Sequence, residues 1–176
     1  MPQCHPLPTV WLLTDARNDT ALEDILRRLP RGSGLVFRHY HLPPTERHAR
    51  FAALARLARA RDHRVVLSGS PAEARRWGAD GAYGAPGALA RGPATLRLAT
   101  AHSLHELRAA RRADAVLLSP VFPTRSHPGG KVLGPLRFRL LARQAACPVI
   151  ALGGMNPATA KRLNWPRWAA IDGLLR

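Results

Sequence analysis

The chain has 176 residues with no Ser/Gly linker, charge block or low-complexity run, so residues 1–176 read as one domain, long enough to bury roughly 70% of its unfolded surface. Its formal net charge is +16, yet only Lys131 and Lys161 of the 27 basic residues are lysine, the arginines are spread over many segments, and the few aromatics are not interleaved with them; nucleic-acid binding is therefore not expected, whereas such a field attracts phosphorylated substrates. No apolar run approaches the roughly 20 residues of a membrane span, and MPQCHPLP lacks a signal peptide's basic and apolar regions, so no membrane association and a cytoplasmic location are expected.

In chain order, Val10-Trp11-Leu12-Leu13-Thr14-Asp15 reads as a first buried strand. Ala21 to Leu29 predicts a helix with Leu22, Ile25, Leu26 and Leu29 on one face, stopped by Pro30 and Gly32. Gly34 to His41 is a second strand with Arg38 towards its end, and Pro43-Pro44-Thr45-Glu46 opens a long helix that turns Phe51, Leu54, Leu57 and Ala58 inward. A third strand runs from His63 to Gly69. Ser70, Pro71 and Glu73 then start a helix that ends at Trp77-Gly78. Gly81 to Ala85 is a short fourth strand, and Pro86 to Arg91 is too short for a good helix. Thr95 to Thr100 forms a fifth strand ending at Ala101-His102, and Ser103-Leu104-His105-Glu106 is a capping box opening a helix through Arg112.

Ala115 to Leu118 is a sixth strand, apolar throughout and free of helical period. A loop from Ser119 to Lys131 follows, carrying Thr124, Arg125, Ser126, His127 and two glycines, which are materials that hold a phosphate. Leu136 to Ala146 predicts a helix, and Pro148 to Leu152 a seventh strand ending in Gly153-Gly154-Met155. Cys147 reads as a small buried hydrophobe, and Cys4 and Cys147 show neither metal spacing nor a disulfide framework. Asn156-Pro157 caps a helix to Leu163, and Trp168 to Gly173 is an eighth strand after which no helix is predicted.

Strands alternating with helices specify a parallel sheet with right-handed crossovers, and eight of them favour an α/β fold closed as a short (β/α)8 TIM barrel lacking the final helix. Such a barrel has its active site at the C-terminal ends of the strands. The missing helix leaves an apolar patch beside the first and last strands, where a second copy is expected as a homodimer.

At these residues the sequence resembles the thiamine phosphate synthase/TenI family of barrels. Val10 to Asp15 is similar to the family's first strand, and Gly78-Ala79-Asp80-Gly81 to the segment before its fourth. Ala101-His102-Ser103 with Glu106 resembles "S-x-H-S-x-x-E", and Ser119 to Ser126 resembles "G-P-V-F-P-T-x-T". Ala151 to Met155 resembles "A-I-G-G-I/M", and Trp168 to Asp172 the phosphate-binding last strand. The resemblance implies thiamine biosynthesis with a phosphorylated thiazole as ligand. Phosphate contacts fall on Thr124, Ser126, Gly153 and Gly154, with Arg38, His127 and Lys131 as further binding candidates.

Departures from the family bear on the reaction. Where the second strand carries "Q-L-R-x-K", this chain has Val36-Phe37-Arg38-His39-Tyr40, which keeps the arginine alone. The Asn-Asp of the third strand is Ser68-Gly69, and Tyr83 to Gly87 contains no carboxylate for the second magnesium aspartate. His127 stands where a lysine follows "T-x-T". Magnesium takes oxygen ligands including carboxylates, so neither metal nor cofactor is expected unless synthase activity is retained. The favoured chemistry is the proton transfer of the TenI branch, isomerising a thiazole phosphate tautomer to its aromatic form with His102 as acid/base. Thiamine phosphate synthase activity and a catalytically silent ligand-binding role are the alternatives. Each residue also has a plainer reading: His102 as a helix cap, Arg38 as a surface residue, Thr124 and Ser126 as turn formers, and Gly153-Gly154 as a tight turn. Asp15 and Asp172 read as structural or exposed.

Overall fold

The computed structural model describes residues 6–125 and 129–175. Eight strands, β1 (Val10–Leu13), β2 (Gly34–Phe37), β3 (Arg64–Ser68), β4 (Gly81–Gly84), β5 (Leu96–Ala101), β6 (Ala115–Leu118), β7 (Val149–Ala151) and β8 (Trp168–Ala170), form a closed barrel in that order. Every neighbouring pair is parallel, including β8 with β1. Outside lie α1 (Leu22–Arg28), α2 (Pro44–Arg59), α3 (Pro71–Arg76), α4 (Pro86–Leu89), α5 (Leu104–Ala109), α6 (Gly134–Ala142) and α7 (Pro157–Leu163). The fold is the α/β barrel expected, and no helix follows β8 among the described residues.

The differences from the sequence reading have local causes. A separate 3-10 helix, Ala16–Ala21, precedes α1 because Asp15 caps it, accepting the Arg17 backbone N–H. β2 stops at Phe37 because Arg38 N–H donates to Thr14 Oγ1 (2.8 Å) and His39 turns left-handed with φ 40°. Pro86 starts a single helical turn, α4, where no good helix was expected. α5 closes at Ala109, short of Arg112, and α6 spans Gly134–Ala142 rather than Leu136 to Ala146. Ser70, Ser103 and Asn156 cap α3, α5 and α7 as read, accepting from Glu73, Glu106 and Thr159 N–H groups. On α2 Ala55 is buried and Leu57 only partly so.

The pleat divides each strand between two cores. Trp11, Leu13, Val36, Val66, Tyr83, Leu98, Leu117 and Ile150 fill the barrel interior. Alternate residues such as Leu12, Leu35, Phe37, Val65 and Leu67 pack outward against helical Ile25, Leu54 and Phe138. Cys147 is half-buried, and burial pushes its thiol pKa up. The seam between first and last strands is stapled by Asn18: its Nδ2 donates to Leu13 O (3.0 Å) and Ile171 O (2.9 Å), and its Oδ1 accepts Asp15 N–H (2.9 Å). Outside that seam, where an eighth helix would pack, lies a groove of about 240 Å³ bordered by Val10, Ile25, Leu29, Trp168 and Leu174.

Two buried histidines are held neutral by burial. His63 Nδ1 accepts Ser33 N–H (3.1 Å), so Nε2 carries the proton and donates to Leu26 O (3.0 Å). His39, stacked on Phe37, bonds Thr14 Oγ1 (2.7 Å) through Nδ1 and Asp19 Oδ1 (2.8 Å) through Nε2. Burial lowers both pKa values, outweighing the Leu26 carbonyl at His63 and the Asp19 carboxylate at His39. The unfolded chain then binds more protons than the folded one once pH falls below the ordinary histidine value of about 6.5. Stability is accordingly full above that value and declines as pH falls through it. Urea midpoints should drop between about pH 7.5 and about pH 5, and a drop of the same size in a His39→Gln/His63→Gln double variant would contradict this assignment.

Candidate functional site at the barrel mouth

The C-terminal ends of β6, β7 and β8 open into a cavity of about 880 Å³. Its wall includes Thr124, Arg125, Gly153, Gly154, Asn156 and Asp172. The loop after β6 is tied down at its base. Val121 N–H donates to Leu152 O (2.9 Å) and Phe122 N–H to Gly153 O (3.1 Å), while Leu133 and Gly134 N–H groups return to Pro120 and Val121 carbonyls (2.9 and 3.0 Å). Thr124 is half-buried on this loop, Arg125 is exposed, and Lys131 is exposed and outside the cavity wall. Ser126 and His127 lie outside the described residues.

Gly153 and Gly154 have φ of +93° and +63°. A Cβ on Gly153 would come within 2.6 Å of Pro120 Cα, and one on Gly154 within 2.5 Å of Pro123 O. Their lack of side chains lets the β7 loop seat against the β6 loop while their backbone lines the cavity. Gly153→Ala is expected to lose about 3 kcal/mol from backbone strain and overlap together; an unchanged thermal midpoint would refute this packing account.

Arg38 stands at the end of β2, outside the cavity wall, but a chain of ion pairs joins it to the cavity. Arg38 Nη2 lies 3.7 Å from Asp15 Oδ2, Arg17 Nε 2.8 Å from Asp15 Oδ1, and Arg17 Nη1 3.2 Å from Asp172 Oδ2. Asp172 borders the cavity. Burial pushes the Asp15 carboxyl up, but hydrogen bonds from Arg17 and the charges of Arg17 and Arg38 outweigh it and hold the pKa below the ordinary value. Arg38 also covers the Tyr40 ring at 5.6 Å and opposes the burial that raises the Tyr83 phenol to about 12. Asp15 and Asp172 are thus members of the mouth's charge system, which their isolated positions in the sequence did not reveal.

His102 sits one residue beyond β5 and is exposed. Ser103, not His102, caps α5. The His102 backbone N–H donates to Glu106 Oε2 (2.7 Å), and its ring Nδ1 lies 3.0 Å from Ser119 O. It does not line the cavity, but Ser119 begins the loop that does.

The corner at the ends of β3 and β4 does not fit magnesium. Tyr40 Oη is hydrogen-bonded to Ser68 Oγ, and Arg47 Nη2 donates to Ser68 O (2.7 Å) while its Nη1 faces Glu73 Oε1 at 3.5 Å. Arg47 also covers the Tyr40 and Trp77 rings at 5.8 and 5.1 Å. A guanidinium thus occupies the neighbourhood where carboxylates would be needed, and the Glu73 carboxylate faces it. Among the described residues no group of three or more His, Cys, Asp or Glu is placed to hold a metal ion.

Fold and mouth together define a (β/α)8 barrel whose loop ends after β6 to β8 are built around a polar cavity. The TMP-TENI family pattern, described as thiamine monophosphate synthase, matches residues 10–165, and the chain belongs to that family. A putative thiamine-phosphate synthase 2 from Aquifex aeolicus is 37% identical over 59 residues, a stretch covering 32% of this chain and 32% of that protein. Thiamine phosphate pyrophosphorylase from Pyrococcus furiosus superposes with a TM-score of 0.79 at 24% identity, covering 95% of this chain and 87% of that one. The Bacteroides thetaiotaomicron thiamine phosphate pyrophosphorylase gives 0.64 at 15% identity over 94% and 83% of the two chains. At these identities the two structural matches establish the fold alone. No helix among the described residues is long and apolar enough to cross a membrane.

Proposed function

We propose that this chain binds a phosphorylated thiazole at the β6–β8 mouth and isomerises it to the aromatic tautomer, with His102 moving the proton. A tautomerisation takes a proton from one carbon of the non-aromatic ring system and returns one at the other end of the conjugation, so nothing is lost or gained. It calls for a base that also serves as an acid, which a histidine provides without a metal. Thr124, Gly153 and Gly154 supply a hydroxyl and close backbone for the phosphate, with the positive charge of Arg125 beside them. The observation that carries the choice of isomerisation over pyrophosphate displacement is Arg47 and Tyr40 at Ser68, where carboxylates would be needed for magnesium.

Calorimetry with the thiazole phosphate tests the ligand, and conversion of its tautomer tests the reaction. Binding without conversion would replace the proposal by a silent ligand-binding role. The second reading is transfer: aminopyrimidine diphosphate and thiazole phosphate joined to thiamine phosphate with release of diphosphate. The names of the Aquifex and Pyrococcus proteins, a putative thiamine-phosphate synthase and a thiamine phosphate pyrophosphorylase, favour it. Robust formation of thiamine phosphate in the presence of magnesium would overturn the isomerase proposal.

A further inference from the structure

The pairing of β5 with β6 brings two residues of the mouth together in a way that fixes one proton. Ala101 is in register with Leu118, and Ser119 N–H donates to Ala101 O (3.0 Å). His102 and Ser119 are therefore the first residues beyond a matched pair of strand ends. His102 Nδ1 lies 3.0 Å from the Ser119 carbonyl oxygen and 3.2 Å from Ser119 Oγ. A carbonyl oxygen only accepts, so the shorter contact calls for the hydrogen on Nδ1, whereas the Ser119 hydroxyl can serve either tautomer. Ser119 is buried, 7% exposed, which makes an unmade bond at that carbonyl expensive. The other end of the residue is fixed too, by the Glu106 carboxylate on its backbone N–H. The second ring nitrogen, Nε2, has no hydrogen-bond partner among the described residues, and the side chain is exposed.

We infer that Ser119 is a positioning residue: its carbonyl locks His102 as the Nδ1–H tautomer, leaving Nε2 as the nitrogen that exchanges protons at the mouth. This rests on the proposed reaction only for what Nε2 does, not for the tautomer itself. In the reaction the Nε2 lone pair takes the substrate proton, giving an imidazolium whose Nδ1–H stays on Ser119 O. The proton returned to substrate leaves from Nε2, so the ring ends as it began. An unconstrained histidine side chain favours the opposite tautomer, which makes the assignment visible spectroscopically. It also separates this role from simple helix capping, which would leave the ring free.

Long-range 1H–15N correlation spectra of the ligand-free protein, labelled at its eight histidines, test it. The His102 ring signals are identified by their loss in His102→Gln. At alkaline pH, Nδ1 is expected at an N–H-bearing shift and Nε2 at a lone-pair shift, and Ser119→Ala should keep that pattern because the carbonyl remains. The reverse pattern, averaged shifts, or reversion in Ser119→Ala would overturn the inference. Since no ligand is present, a failure here is distinct from a failure of thiazole phosphate to bind in calorimetry. If the ligand binds, Nε2 alone should shift, and loss of the Nδ1–H signature on binding would equally overturn it.

Discussion

Replacing Trp11 with alanine is expected to lower the free energy of unfolding by about 4 kcal/mol. The indole is wholly buried inside the barrel, where seven other large side chains from β1 to β7 converge. Its neighbours in register are Gly34 on β2 and Ala169 on β8. Those small residues leave the space that the ring fills, and a methyl group on Gly34 would overlap the ring directly. Its Nε1–H donates to Pro8 O (3.0 Å), tying the segment before β1 across the base of the barrel. Alanine removes that donor and leaves a void that rigid parallel strands cannot close. Urea unfolding followed by far-ultraviolet circular dichroism reads the loss, and a change below about 1 kcal/mol would refute the packing account. Gly34→Ala should destabilise for the opposite reason, by overpacking. Combining it with Trp11→Phe should recover part of the loss, because the two positions share one volume.

The same pair shows what the sequence makes legible and what it does not. Trp11 and Gly34 each sit in a readable strand, since short apolar runs such as Ala115 to Leu118 and turn or capping residues such as Ser70, Ser103 and Asn156 mark elements within a few neighbours. The partnership is set by barrel register, which brings together residues far apart in the chain. Asn18 illustrates the limit: in an Asp-Ala-Arg-Asn-Asp stretch it looks like a surface turn residue, yet it is buried and bonded to Ile171 at the other end of the chain. Gly153 and Gly154 were placed at the mouth from pattern, but their close approach to Pro120 and Pro123 depends on how two loops meet. Asp15 and Asp172 read as structural because nothing in the sequence shows Arg17 lying between them. Elements follow local rules, whereas the site is made of contacts between elements.

That distinction shapes the expected behaviour of His102→Ala. Under the proposed reaction, conversion of the thiazole phosphate tautomer should fall by about 10²–10⁴-fold, the usual contribution of a positioned general acid–base group. Affinity for the thiazole phosphate should stay nearly constant, because the His102 ring is outside the cavity wall and meets Ser119 rather than Thr124, Gly153 or Gly154. Folding should also survive, since Ser103 rather than His102 caps α5 and the Glu106 bond uses the backbone N–H that alanine retains. Thr124→Val provides the opposite signature. If its hydroxyl contacts phosphate, losing a hydrogen bond to a charged group weakens binding by about 1.5–3 kcal/mol, roughly 10–150-fold. The conversion rate at saturation should then be far less affected. Single-turnover rates at saturating ligand, set beside calorimetric affinities for both variants, separate proton transfer from phosphate holding. Equal rates for wild type and His102→Ala would remove His102 from the mechanism, and a rate lost in step with affinity would make it a binding residue instead.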